Sequence, residues 1–444
     1  MRKPLENMKI FADRRDRLKP RLNNSVLILA APAETIRNGS VHNPFRQDSN
    51  LYYLTGWEEP GSIFVYRPGQ SPETILFARK KDPERETWDG FRYGPESAKE
   101  LFRMDQTFPL EKFSEEIVNL LKGAEKLYYR QFANLEMDTQ IQTALTDLRA
   151  NQGRTGFGLL PIFDSVELLG ELRVIKDEPD LANLRKACEL SSQAHIEVMR
   201  AAKPGVSERE LHGLFLYQIL KRGAAREGYG SIFAGGANAC TLHYVFNDQP
   251  LADKQLLLVD AAGEYNYFTS DITRTYPVNG KFTAAQERVY KGVLDVQKRL
   301  IALVKPGVPF QELHDLGASW LTDVMLDLGL LSGRKDDLMA AQEHKHYYPH
   351  GIGHFLGMDV HDSGLYFSKP NQNLKKESRK IEAGMVFTIE PGLYIPAQDQ
   401  NAPPEYRGIG IRIEDNILVT TNGHEVLTAA CPKEVADLER LLSH

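Results

Sequence analysis

The tetrapeptide Lys-Pro-Gly-Val stands at 203–206 and again at 305–308, and Glu-Leu-His follows at 210–212 and 312–314. The offset is 102 residues throughout, with seven identities in a window of ten. A chain that repeats in register repeats a structural unit, so the fold of one copy constrains the other. Each copy lies between apolar positions at helical spacing: 178–202 and 208–223 around the first, 283–304 and 310–331 around the second. Ser207 with Glu210, and Thr283 with Gln286, have the spacing of a capping box, in which two side chains satisfy the exposed N–H groups of a helix start. Pro-Gly closes the first helix of each pair. Beyond the pairs lie β-branched runs broken by turn residues: LLLVDAAGEYN and FTSDITRTYPV in the first copy, GMVFTIEPGLYI and GIGIRIEDNILVT in the second. Residues 173–444 therefore read as two related α+β halves facing each other. A site shared between halves is the natural place for chemistry.

Residues 1–172 carry a different pattern. VLILAAP, SIFVYRP and ETILFARK read as strands, ESAKELFRM and KFSEEIVNLLKG as helices, which predicts a separate, smaller mixed α/β domain. The charged stretch ELRVIKDEPD, 171–180, forms the junction, with Pro179 at the start of the next helix. A chain of 444 residues is long enough for two or three domains with substantial cores. Its net charge of −6 supplies no basic field for nucleic acid or an anionic membrane. No apolar run approaches the ~20 residues that span a bilayer, and the first residues lack the apolar stretch of a signal peptide. Cys188, Cys240 and Cys431 are far apart and form no CxxC, which argues against a disulfide framework. The expected location is the cytoplasm, with neither nucleic acid nor membrane as partner.

Acids interrupt the apolar strands at Asp260, Asp271, Glu390 and Glu414. A buried carboxylate is costly unless it is paired, protonated or bound to a cation. Any one of them alone reads as a salt-bridged structural acid. Two in each half, together with YYPHGIGHFLGMDVHD at 347–362, point instead to a common polar centre; in that run His350, His354 and His361 stand among glycines and apolar residues. Carboxylates with one imidazole suit Mn²⁺, Fe²⁺, Co²⁺ or Zn²⁺. Four carboxylates over-neutralise a single divalent ion, which favours two ions held about 3.5–4 Å apart by shared carboxylates.

In order and local context, Asp260, Asp271, His354, Glu390 and Glu414 resemble the five metal ligands of the pita-bread metallopeptidase family. PHGIGHFLGMDVHD, TIEPGLYI and YRGIGIRIEDN are similar to its aminopeptidase P branch, as are TLHY at 241–244 and NPFRQDSNLYYLTGW at 43–57. The resemblance spans nearly the whole chain. It implies a C-terminal pita-bread fold with a pseudo-twofold repeat, preceded by the smaller N-terminal domain. It implies two divalent metal ions, Mn²⁺ foremost with Zn²⁺, Co²⁺ or Fe²⁺ as alternatives, and release of the first residue from peptides with proline second. Asp271 and Glu414 would bridge both ions, Asp260 would complete one shell, and His354 and Glu390 the other. His243 and His361 would hold the peptide carbonyl and move protons, and Glu390 would accept a proton. Tyr229 would wall the pocket for the first residue, and His350, Tyr394 and Arg412 would line the proline side or buttress the site. A homodimer or homotetramer contacting through residues 1–172 is also implied, with that domain governing substrate access. The alternative on the same fold is an Xaa-Pro dipeptidase. An inert binding module and an amidinohydrolase are disfavoured by the complete ligand set.

Other polar residues have plainer readings. His195, His212 and His314 fall in helical patterns and read as structural, and His344 and His346 flank Lys345 and are expected to face solvent. Arg154 and Trp88 stand where the family has substrate-side residues, with a weaker local match. Asp48 reads equally as a turn former or as an interface or substrate-access residue. No GxGxxG, HExxH or GxSxG supports a dinucleotide, zincin or serine-hydrolase reading.

Overall fold

The computed structural model describes residues 7–151, 153–155, 158–368 and 376–443. The chain divides into two compact units, Met1–Leu172 and Arg173–His444. In the first, a six-stranded sheet runs in the order Gln106–Pro109, Thr74–Ala78, Ile63–Tyr66, Ser25–Ala30, Lys126–Tyr128, Ile162–Phe163. Ser25–Ala30 pairs antiparallel with Ile63–Tyr66 and parallel with Lys126–Tyr128. Central strands buried on both faces read as the unbroken apolar runs seen here. Helices Phe113–Leu121 and Leu135–Asn151 set Ile117, Leu121, Met137 and Ile141 into a core with Val26, Ile28 and Val65. Asp48 caps the helix Ser49–Thr55, its carboxylate accepting from the Leu51 N–H at 2.9 Å. Trp88 is exposed on the helix Pro83–Asp89, and Arg154 belongs to this unit as well.

The second unit contains the helix pairs that the repeat predicts, Glu178–Ala201 with Glu208–Lys221 and Ala284–Leu303 with Phe310–Asp327. Both expected capping boxes form, and Pro179 sits in the first turn of its helix behind the cap Asp177. Gly205 and Gly307 adopt φ of +90° and +93° where the chain leaves the first helix of each pair, a shape that L side chains resist. Each half adds a three-stranded antiparallel sheet. Ile232–Gly235, Leu256–Asp260 and Thr273–Pro277 form one; Val386–Ile389, Asp415–Val419 and His424–Val426 form the other. Gly392–Ile395 and Ile409–Arg412 pair as a hairpin in the second half.

The halves are sewn together at one seam. The Glu414 N–H donates to Thr273 O at 3.0 Å. Arg274 and Asp415, both fully buried, pair at 2.7 Å, and Arg274 also donates to the carbonyls of Cys431 and Pro432. Leu190, Phe215 and Val259 share one apolar core with Val293, Leu321, Phe387 and Ile417. No described helix is long and apolar enough to cross a membrane.

His195 is buried with Nε2 2.9 Å from Ala261 O, and His212 Nε2 lies 3.1 Å from the Glu227 carboxylate, both structural as expected. His346 is exposed beside Asp399. His344 departs from expectation: it is only 6% exposed. The short turn Glu343–His346 is tight, with the Tyr347 and Tyr348 N–H groups donating to His344 O, and three residues per turn leave Lys345 and His346 outside while His344 is covered.

Candidate active site

The acids converge because of where the strands end. Asp260 closes Leu256–Asp260 and lies opposite Thr273 in the ladder, so Asp271, two residues earlier, lies in the turn beside it. Glu390 follows the end of Val386–Ile389, and Glu414 sits between Ile409–Arg412 and Asp415–Val419. His354 is drawn up to Glu390 by chain running alongside that strand: the Thr388 N–H donates to His354 O and the Glu390 N–H to Ile352 O, each at 2.9 Å. Gly353 permits the approach, since a Cβ there would stand 1.9 Å from Thr388 O.

Every site residue predicted from the sequence except Tyr394 lines a single cleft of about 560 Å³. Asp271, His354 and Glu414 each present a ligand atom, all within 4.8 Å of one another. The His354 Nδ1–H donates to Phe355 O at 3.1 Å, which leaves Nε2 facing Asp271 Oδ2 at 3.3 Å and Glu390 Oε1 at 3.6 Å. The Tyr229 hydroxyl is 2.6 Å from both Asp260 Oδ1 and Asp271 Oδ1 and donates to one at a time. Arg412 pairs with Asp260 Oδ2 at 2.6 Å, and its Nε donates at 3.0 Å to Thr273 Oγ1, which in turn donates to Glu414 Oε2 at 2.7 Å. Tyr394 stands behind the cleft wall. It accepts from Arg412 at 3.0 Å and donates to His350 Nε2 at 2.8 Å, while the His350 Nδ1–H donates to Gly351 O. The His361 ring meets His354 edge-on, 4.4 Å between centroids.

Burial dominates the electrostatics. It raises Glu390 to about 7 and lifts Asp271 and Glu414 above the usual carboxylate range, with neighbouring carboxylates adding to the effect. Burial opposes charge on His354, but the hydrogen bond to Asp271 and the charge of Glu390 outweigh it and raise the ring to about 9. Burial lowers His350 to about 3, with Arg412 adding to it, and lowers His361, with His354 adding. Four carboxylates thus face one guanidinium and one imidazolium. This surplus of hard oxygen donors with a single nitrogen, held in a buried place, fits divalent cations.

Thr273, Thr388 and Asn416 were not foreseen. Thr388 Oγ1 accepts from the His354 N–H at 3.1 Å and donates to Glu390 at 3.3 Å. Asn416 Oδ1 accepts the Asp271 N–H at 3.0 Å, and its Nδ2 donates to Asp271 O. The available signal was a small polar side chain in a buried strand, one or two residues from a predicted ligand.

Comparison with known proteins agrees with this geometry. Residues 182–421 match the model of metallopeptidase family M24, and residues 11–128 match that of the aminopeptidase P N-terminal domain. An Xaa-Pro aminopeptidase of Haemophilus influenzae is 38% identical over 98% of this chain and 97% of its own length. The aminopeptidase PepP of Pseudomonas aeruginosa superposes with a TM-score of 0.93 at 38% identity, covering 98% of each chain. A variant of Escherichia coli aminopeptidase P, solved in complex with substrate, does so with a TM-score of 0.90 at 33% identity, again over 98% of each chain. The chain belongs to metallopeptidase family M24 and, within it, to the Xaa-Pro aminopeptidases.

Proposed function

We propose that Asp260, Asp271, His354, Glu390 and Glu414 together hold two divalent ions, Mn²⁺ in the cell, with Asp271 and Glu414 shared between them. The observation that carries this reading is the convergence of Asp271, His354 and Glu414, whose ligand atoms all lie within 4.8 Å of one another in a cleft that Asp260 and Glu390 also line. A zinc-substituted E. coli aminopeptidase P solved with product supports it. When bound, such ions polarise a carbonyl and lower the pKa of water.

The chain's own residues account for the rest. Glu390, on the cleft wall beside His354, takes the proton of the attacking water and returns it to the leaving nitrogen. That return matters because the Xaa-Pro amide is tertiary and its nitrogen carries no hydrogen. His243 and His361, both on the cleft wall, donate to the carbonyl oxygen as charge develops there. The free amine of the peptide binds beside Asp260, which restricts cleavage to the first residue. Arg412 fixes Asp260 and, through Tyr394, His350, so that His350 flanks the proline while Tyr394 holds its ring from behind the cleft wall. Tyr229 orients Asp260 and Asp271 and walls the pocket for the first side chain.

Residues 1–172 supply the contacts of a homodimer or homotetramer and control access of peptides. The exposed Trp88, Phe132 and Leu135 of this unit, 86%, 83% and 77% accessible, support an assembling surface. The free Cys188, Cys240 and Cys431 support a cytoplasmic location.

The test is hydrolysis of an Xaa-Pro dipeptide, an Xaa-Pro-Xaa tripeptide and the same tripeptide with alanine for proline, each with Mn²⁺ and after chelation. Metal-dependent release of the first residue from the proline tripeptide alone is expected. Preference for the dipeptide would make the chain a dipeptidase, and no cleavage with any metal would overturn the site assignment. Light scattering of a monomer would remove the assembly role of residues 1–172.

A further inference from the structure

The helices Glu208–Lys221 and Phe310–Asp327 hold equivalent places in the two halves, and their first residues occupy the same position of the repeat, 208 against 310. The side chains there differ in kind. Phe310 packs its ring 5.7 Å from Phe355, the neighbour of His354, and 5.3 Å from Phe387 in the strand behind it. Glu208 is a fully buried carboxylate with no salt-bridge partner among the described residues. Four donors converge on it instead. Oε1 accepts from the Gly235 N–H at 2.8 Å and Asn238 Nδ2 at 3.0 Å; Oε2 accepts from the Tyr244 hydroxyl at 2.9 Å and the Gln249 N–H at 3.0 Å.

All four donors belong to residues 235–249, the stretch that carries His243. The Glu208 N–H donates back to Gln249 O at 2.9 Å, closing both ends of the stretch on one residue. Tyr244 is buried in a small cluster with Ile232, Ala234, Ala239 and Leu258, whereas its neighbour His243 lines the cleft. His243 lies in the turn immediately before Tyr244, so anchoring Tyr244 fixes the backbone from which the His243 side chain reaches the cleft. Glu208 itself does not line the cleft. In each half, then, the first residue of the same helix backs a histidine-bearing segment, by aromatic packing in one and by a four-coordinated carboxylate in the other.

We propose that Glu208 is a positioning residue for His243, holding the 235–249 stretch so that the imidazole meets the peptide carbonyl. The proposal rests on the reading that His243 contacts substrate. A carboxylate is required because it accepts from every side. In Glu208→Gln the shape is kept, but the amide NH₂ is set against the Gln249 N–H, and one buried donor loses its acceptor.

The test is a double-mutant cycle on Glu208→Gln and His243→Ala in the Mn²⁺-loaded enzyme, read as kcat/KM on an Xaa-Pro-Xaa tripeptide. Mn²⁺ binding is followed by calorimetry and folding by thermal denaturation. Glu208→Gln is expected to lower kcat/KM about tenfold, chiefly in kcat, since small misplacements of a catalytic group cost that much or more. Mn²⁺ stoichiometry should not change. Added to His243→Ala, Glu208→Gln should cost less than about twofold more, because its effect runs through a group already removed. Tyr244→Phe, which takes away one of the four donors and leaves the fold otherwise intact, should give an intermediate loss with the same non-additivity. A Glu208→Gln enzyme as active as wild type beside a damaged His243→Ala would overturn the proposal alone. Losses that multiply in the double variant would overturn it too, since they mean a general loosening of the fold. A silent His243→Ala would instead remove the role of His243, and the proposal with it.

Discussion

Asn416 offers the sharpest test of how the seam between the halves serves the site. Its side chain acts as a piece of β-ladder: Oδ1 takes the main-chain N–H of Asp271 and Nδ2 reaches the main-chain carbonyl of the same residue. Asn416 is fully buried and Cys188 Sγ also donates to Oδ1, at 3.3 Å, so water has no ready route to replace it. Asn416→Ala therefore strips two buried backbone groups of their partners. At about 1–3 kcal/mol each, less whatever relaxation recovers, the loss should be about 3 kcal/mol in urea denaturation. The turn carrying Asp271 is freed as well. Loss of the group that orients a ligand typically weakens metal binding roughly 10–100-fold, which calorimetric titration with Mn²⁺ would read directly. Asn416→Asp is the companion variant. It keeps the volume and the acceptor for the N–H but sets an oxygen against the Asp271 carbonyl, so it should be about as damaging as alanine. If both variants unfold within about 0.5 kcal/mol of wild type and bind Mn²⁺ equally well, the pinning role is refuted.

Asp271→Asn and Glu414→Gln should each lose activity and metal together while circular dichroism shows the fold retained; full turnover in Asp271→Asn would exclude a bridging role. His361→Ala should lose about 10²–10³ in kcat with Mn²⁺ stoichiometry unchanged, as expected for a proton-handling group, and loss of metal instead would move it among the ligands. His195 is held neutral to about 4 by burial, against an ordinary 6.5. Because its folded pKa is depressed, the unfolded chain takes up the proton first as pH falls. Wild type should thus lose about 3 kcal/mol between pH 6.5 and 4 that His195→Gln does not, and parallel stability curves for the two would contradict this.

The parts legible in the sequence are those with a local physical signature. Ser207 with Glu210 and Thr283 with Gln286 announce helix starts because a capping box is a four-residue event. Asp260, Asp271, Glu390 and Glu414 stand out because a charge inside an apolar strand needs a reason. His344 was misjudged since its burial depends on the turn that follows, and charged neighbours on both sides mask it. Glu208, Thr273 and Asn416 were missed for a related cause. Their partners lie 27 to 145 residues away along the chain, and the one local signal, a small polar side chain two residues from a predicted ligand, covers Thr273 and Asn416 but not Glu208 and names no partner. Glu208 was hidden further by its place beside Glu210, where an acid in the first turn of a helix is explained by the helix alone.

The main-chain bond from Glu414 to Thr273 also dictates when the site comes into being. Asp271 and Glu414 are separated by 143 residues of chain, from 271 to 414. Closing so long a loop adds little to the thermodynamic cost, because that cost grows only with the logarithm of length, but it makes the contact a late one. A ribosome that has released the first half has released Asp260 and Asp271 with neither His354 nor the two glutamates. With the ligand set proposed above, ion capture would await the last tenth of the chain. In refolding, uptake of Mn²⁺ should therefore trail the recovery of helix signal, and metal occupancy becomes a clock for the docking of one half on the other.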